Sequence, residues 1–226
     1  MILIALAVAV LAAIRSQESP CTQSMVSSLH PLGERARGNR WAVTISFFVF
    51  GSVSAGAVVG AMAAGLGGIF MAGVSGDAWT GWLPLVLVAV AVGGVLDLVG
   101  IRPPGPKRQV NENWIGTYRG SVYGVAFGAQ IGSGLMTYIV TWGVYAMLLA
   151  SFATGSPVAG ALVGAVFGMG RSVAPLFAGW IDRPSRLTVV MERMTDSMGL
   201  VTATTSAGLA ALGVAGLVVG MMHWPA

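Results

Sequence analysis

Cys21, in Ser19-Pro20-Cys21-Thr22, is the only cysteine and the only soft nucleophile of the 226-residue chain. A helix starting just after Pro20 would point free N–H groups at its sulfur and favour the thiolate. The alternative is an inert buried thiol, a role to which cysteine packs well. Ser19, Pro20, Thr22 and Ser24 surround it as candidate substrate-binding residues. One thiol excludes an internal disulfide and any cysteine-based metal cage. The two histidines, His30 and His223, stand far apart, so no metal site and no cofactor is expected. His30, before Pro31, reads as a loop residue, with a ligand or proton-relay role as the lesser alternative. In GVAFGAQIGSGLMT, Gln130 sits among Gly124, Gly128, Gly132 and Gly134, and Thr137 and Thr141 follow as further candidate binding groups. Asp97 and Arg171 lie at the ends of apolar runs and are the charges closest to membrane depth. Such groups are functional candidates by default, although snorkelling is the simpler account of Arg171. No HExxH, Walker-type or nucleophile-elbow motif is present.

The elements that must position these residues are membrane helices. Only 9% of residues are charged and 55% are hydrophobic, with 33 glycines. That leaves too little polar surface to cover a soluble core, and disorder requires the opposite balance. A β-barrel would alternate apolar and polar residues, whereas Leu83 to Val95 is apolar at consecutive positions. The basic balance reflects orientation in a bilayer, so nucleic acid is not an expected partner. Six segments are expected, at 1–14 continuing irregularly to about 30, then 41–66, 79–101, 120–153, 156–178 and 198–222. The first charge, Arg15, follows the first apolar run, which argues against a cleavable signal. All 12 basic residues fall in or beside alternate connections, and the other connections hold Asp77 as their one charge. The positive-inside rule then places the chain in the inner (cytoplasmic) membrane with both termini on the outer side.

Gly51–Ala61 (GSVSAGAVVGA) and Gly155–Ala165 (GSPVAGALVGA) agree at eight of eleven positions, 104 residues apart. Either apolar composition produces this by chance, or residues 1–101 and 116–222 are two copies of a three-helix unit. With an odd number of spans per copy, the copies are inverted, and a site is expected at their interface. The expected architecture is therefore one all-α polytopic membrane domain of six transmembrane helices in a 3+3 inverted repeat, over 1–226. Small residues at Gly56, Gly60 and Ala64, and at Gly160, Gly164 and Gly168, mark close helix packing. The first segment of each half is interrupted, by Pro20 and Pro31 and by the glycines around Gln130. Broken backbone at membrane depth survives only where protein buries it or where it lines a wet cavity.

Ser-Pro-Cys in the first segment, six spans, an inverted repeat and an outward N-terminus resemble the CcdA/DsbD-type thiol electron carriers. In the same broader superfamily they resemble small-solute exporters of the LysE kind. The resemblance implies a thioredoxin-like partner and a second cysteine in the fourth segment, about where Gln130 stands. One thiol makes an intramolecular dithiol cycle impossible, so only Cys21 carries over, as a mixed-disulfide position. This argues against an oxidoreductase acting alone. Two functions compete. One is a transporter-like protein moving a small solute, metal ion or thiol equivalent, with Gln130, Thr137, Thr141 and Ser24 facing one cavity. The other is a non-catalytic subunit whose glycine faces, or Trp142 and Tyr145, pack on another membrane protein. Arg35, Arg37 and Arg40, just before Trp41, suit anionic lipid, with a bidentate docking patch as the lesser reading.

Overall fold

A computed structural model describes residues 1–73 and 78–222, side chains excepted at 78–82 and 221–222; Asp77 and His223 lie outside the described residues. Helix α1 (Ile2–Arg15) is built from Ala, Leu, Val and Ile and buries Ala5, Val8, Ala9, Ala12 and Ala13. Its apolar run ends at Arg15, where a 3-10 turn, Ser16–Glu18, follows. Ser19 is extended and accepts from the Thr22 N–H, so it caps α2 (Pro20–Ser28), in which Pro20 takes the first position. Proline fits there because that N–H has no helical partner. The two helices meet at 68°. His30 caps the short α3 (Pro31–Ala36) through Nδ1, 3.3 Å from the Gly33 amide.

The chain continues through α4 (Trp41–Ala72), α5 (Ala78–Leu98), α6 (Trp114–Thr117) and α7 (Gly120–Gly132). After an irregular return come α8 (Gly143–Thr154), α9 (Pro157–Arg171), α10 (Val173–Phe177) and α11 (Pro184–Met222). No strand occurs among the described residues. Among the described residues, three helical stretches, Trp41–Ala72, Pro157–Trp180 and Pro184–Gly220, are long and apolar enough to cross a membrane, and the bent α1–α2 pair makes a fourth if taken as one span. The last helix starts fourteen residues before the expected segment, at Pro184 instead of 198. Its charged first half falls outside an apolar window, yet Leu187, Val190, Met191 and Met194 pack on Val26, Ala178 and Ile181 and keep the helix continuous.

Helix α4 is turned inside out relative to a soluble helix. It buries Thr44, Ser52, Gly56, Gly60 and Ala64 and exposes Phe50, Val58, Met62, Leu66 and Ile69. Ile45 and Phe48 are buried in its first turns, and from Gly51 onward the buried residues are all small while large apolar groups face outward, which suits an apolar surrounding where van der Waals packing drives association. A Cβ on Gly56 would overlap the Gly164 carbonyl, and one on Gly60 the Gly160 carbonyl; the overlaps are reciprocal, so α4 and α9 run antiparallel in backbone contact. On its other flank, α4 meets α7 in parallel, Phe48 against Gly128 and Ser52 against Gly132. Helices α5 and α11 cross through Gly94 and Gly213. Helix α1 lies among α8, α9 and α11 and shares a core with Val90, Met147, Phe167 and Leu209.

The two matched stretches differ in local structure. Gly51 and Ser52 are buried mid-helix in α4, whereas Gly155 is the left-handed cap of α8 and Ser156 the N-cap of α9.

Candidate functional site

The interruption after Ile14 brings three charged or polar groups together. Arg15 pairs with Glu18 at 2.5 Å, and Thr202 of α11 donates to the same Glu18 oxygen at 2.8 Å. Both side chains of the pair are only 13% and 11% exposed. Across from them the end of α5 places Asp97, which accepts from Thr141 Oγ1 at 2.5 Å and from the Trp142 amide at 3.0 Å. Asp97 thereby neutralises the start of α8, where unpaired N–H groups and the helix dipole favour a carboxylate. Arg15, Glu18, Asp97, Arg102, Tyr138 and Thr202 line a cavity of about 450 Å³, together with Pro20 and Met198. Two arginines and two acidic residues are among its lining.

Arg171 is 2% exposed, so it does not snorkel. Its guanidinium donates to the Ser16 carbonyl, and both terminal nitrogens lie 3.3 Å from Ser19 Oγ. It therefore joins the end of α1 to the cap of α2 and fixes the break between them. Ser19 Oγ also lies 3.0 Å from Thr22 Oγ1, and Thr22 donates to the Ser16 carbonyl at 3.4 Å. Cys21 follows directly but faces an apolar cluster with Met25, Leu29, Phe127 and Ile131, fully buried, its sulfur 3.9 Å from the Arg108 carbonyl.

The remaining candidates are dispersed. Ser24 donates to Glu112, Thr137 is buried, and Gln130 accepts through its backbone carbonyl from Ser133 at 2.8 Å. None of Ser24, Gln130, Thr137 and Thr141 lines the 450 Å³ cavity. Trp142 and Tyr145 donate to the Ile101 and Pro104 carbonyls, so both hold a loop of their own chain.

A second polar centre has no local signature in the sequence. Glu34 is fully buried and accepts from Arg37 at 2.6 Å, Thr44 at 2.7 Å and Tyr123, whose hydroxyl is 2.7 Å from both carboxylate oxygens. Asn39 donates to that hydroxyl at 2.9 Å. Arg37 is thus committed to an ion pair within the loop, where the sequence suggests a lipid anchor. His30, at the same end, is held below its ordinary value near 6.5 by burial first, then by the Arg37 charge.

No family model and no solved structure matches the chain. Among curated proteins it is similar to methylamine utilization protein MauF of Paracoccus denitrificans, 32% identical over 167 residues, covering 73% of this chain and 60% of that protein. MauF of Methylophilus methylotrophus is 30% identical over 158 residues, 68% of this chain and 54% of that protein. MauF of Paracoccus versutus is 30% identical over 156 residues, 68% and 56% respectively. The relatives found are MauF proteins. The CcdA/DsbD resemblance is corrected accordingly: it rested on three residues, Ser19 to Cys21, and on topology, while the MauF likeness extends over some two thirds of the chain. The chain spans a little over half the length of the MauF proteins it matches.

Proposed function

We propose that this protein is a membrane-embedded accessory protein of methylamine utilization, working with a protein partner instead of carrying thiol electrons. The observation that carries this is the 30–32% identity to three MauF proteins. The full burial of Cys21 agrees with it, since a thiol relay needs an accessible sulfur.

The chain is read as crossing the inner membrane six times with both termini on the outer side. Three continuous spans, the bent α1–α2 pair, the shorter α5 and the divided α7–α8 support that count. Support for an inverted repeat comes from the α4–α9 crossing. Shifting by 104 residues turns the contact of Gly56 with Gly164 into that of Gly160 with Gly60, as a local two-fold axis would.

A second reading, movement of a small solute, is favoured by the charged 450 Å³ cavity. Proteoliposomes separate the two. The accessory reading expects no methylammonium uptake above empty vesicles, and a stable complex on mild-detergent purification from methylamine-grown cells. Saturable uptake by the purified chain alone would overturn it in favour of transport.

A further inference from the structure

Two grooves lie along α11, and Val190 lines both. One, of about 350 Å³, is basic: Arg186 and Arg193 line it with Trp180, Ser185 and Val189, and no acidic residue is among its lining. The other, of about 280 Å³, is apolar, with Ile14, Val173, Phe177, Met194, Met198 and Val201 in its walls. Its one acidic residue, Glu18, is committed to Arg15 and Thr202. Phe177 and Trp180, one from each groove, meet edge to face at 5.6 Å between centroids. Along α11, Arg186, Val190, Met194, Met198 and Val201 recur every three or four residues, so the two grooves follow one helix face. The face is basic at one end and apolar at the other. Arg193 has no ion pair among the described residues. Arg186 pairs with Asp182 at 3.1 Å, but with both side chains about half exposed, at 55% and 54%, water screens the pair and a phosphate can displace it.

We propose that the joined grooves hold one anionic phospholipid, its phosphate at Arg186 and Arg193 and an acyl chain along Phe177, Met194 and Val201. The inference needs the membrane setting of the chain and is independent of its part in methylamine utilization. The dimensions agree. From Arg186 to Val201 the helix rises about 22 Å at ~1.5 Å per residue. One leaflet, half of a bilayer of ~40–45 Å, has about the same depth. Trp180, 74% exposed, supplies the amphipathic ring that collects at headgroup level. Guanidinium groups match phosphate oxygens in geometry as well as charge. A zwitterionic headgroup would bring its own cation against two arginines, so the basic end favours a lipid of net negative charge.

The test is native mass spectrometry of the full chain, delipidated in detergent and titrated with phosphatidylglycerol or phosphatidylcholine of identical acyl chains. The first phosphatidylglycerol should bind about tenfold more tightly than phosphatidylcholine. Arg186→Gln combined with Arg193→Gln, both at exposed positions, should erase that preference. Arg35→Gln combined with Arg40→Gln removes the same charge from exposed positions elsewhere and should keep it. Ser197→Phe, at an exposed position in the apolar groove, should obstruct the chain and weaken both lipids. Glycerophosphoglycerol, the head group without chains, and inorganic phosphate should not displace the lipid at equal concentration. Equal affinity for the two lipids in the native protein would overturn the proposal. So would a preference that survives loss of Arg186 and Arg193, one that falls equally in the Arg35 and Arg40 variant, or unchanged binding in Ser197→Phe. Ready displacement by glycerophosphoglycerol or phosphate would assign the basic end to a soluble anion and overturn it as well. If disruption of the chain stops growth on methylamine while the lipid preference is absent, the site alone is refuted and the functional reading stands.

Discussion

Tyr123→Phe isolates the hydroxyl that bridges both oxygens of Glu34 and leaves the aromatic ring in place. The ring packs against Phe127 at 5.7 Å between centroids, and the substitution preserves that contact. What disappears is one donor to a carboxylate that is fully buried and retains Arg37 and Thr44. A hydrogen bond to a charged group contributes about 1.5–3 kcal/mol. Arg37 and Thr44 still pair with the carboxylate, so the expected loss is about 2 kcal/mol instead of the larger cost of leaving a buried charge unpaired. Glu34→Gln loses the Arg37 ion pair as well and should cost about 3 kcal/mol. If the two groups act through each other, the double variant falls short of the sum by about 1.5 kcal/mol. Unfolding in mixed micelles, followed by far-ultraviolet circular dichroism, measures all four corners of the cycle. A Tyr123→Phe cost under about 0.5 kcal/mol, or strict additivity, would refute the bond's contribution.

Gly60→Leu places a side chain against the Gly160 backbone, so α4 and α9 must separate; the folded yield in detergent should fall sharply, whereas Gly199→Leu, which meets nothing, should be tolerated. His30 caps α3 only as the neutral imidazole, and its folded value lies below the ordinary one near 6.5. Its contribution is therefore fully present above that ordinary value and lost as pH falls from there through the folded value. The melting temperature should drop on acidification, and His30→Asn, a cap that does not titrate, should flatten that part of the profile. Lysine exchange should be neutral at Arg35 and Arg40, but Arg37→Lys should destabilise, because Arg37 donates to both the Glu34 carboxylate and the Ser28 carbonyl. Thermal melts of the three single variants check this. Cys21 should resist maleimide until the protein is unfolded, and rapid labelling of the native state would contradict its burial.

The features legible in the sequence are those with a local signature. Ser19-Pro20 announces a capped helix start after a break, and four-residue glycine spacing announces a backbone contact; both elements take those forms. The polar centres had no such signature. Glu34 and Tyr123 are 89 residues apart, and Glu18 and Thr202 are 184 apart, so tertiary packing alone brings them together. Arg15 reads as a loop charge because it follows an apolar run, but the 3-10 turn folds it and Glu18 under α11 instead of releasing them to water. The first half of α11 was missed for the opposite reason. Its Arg186, Glu192, Arg193 and Asp196 end an apolar window without ending a helix, since none of these residues opposes helical backbone.

The most direct test of the central claim is growth. In its own host, disrupting the coding sequence for this chain should abolish growth on methylamine as the nitrogen or carbon source, spare growth on ammonium with an unrelated carbon source, and be reversed by the intact chain supplied in trans. Undiminished growth on methylamine after disruption would contradict the account.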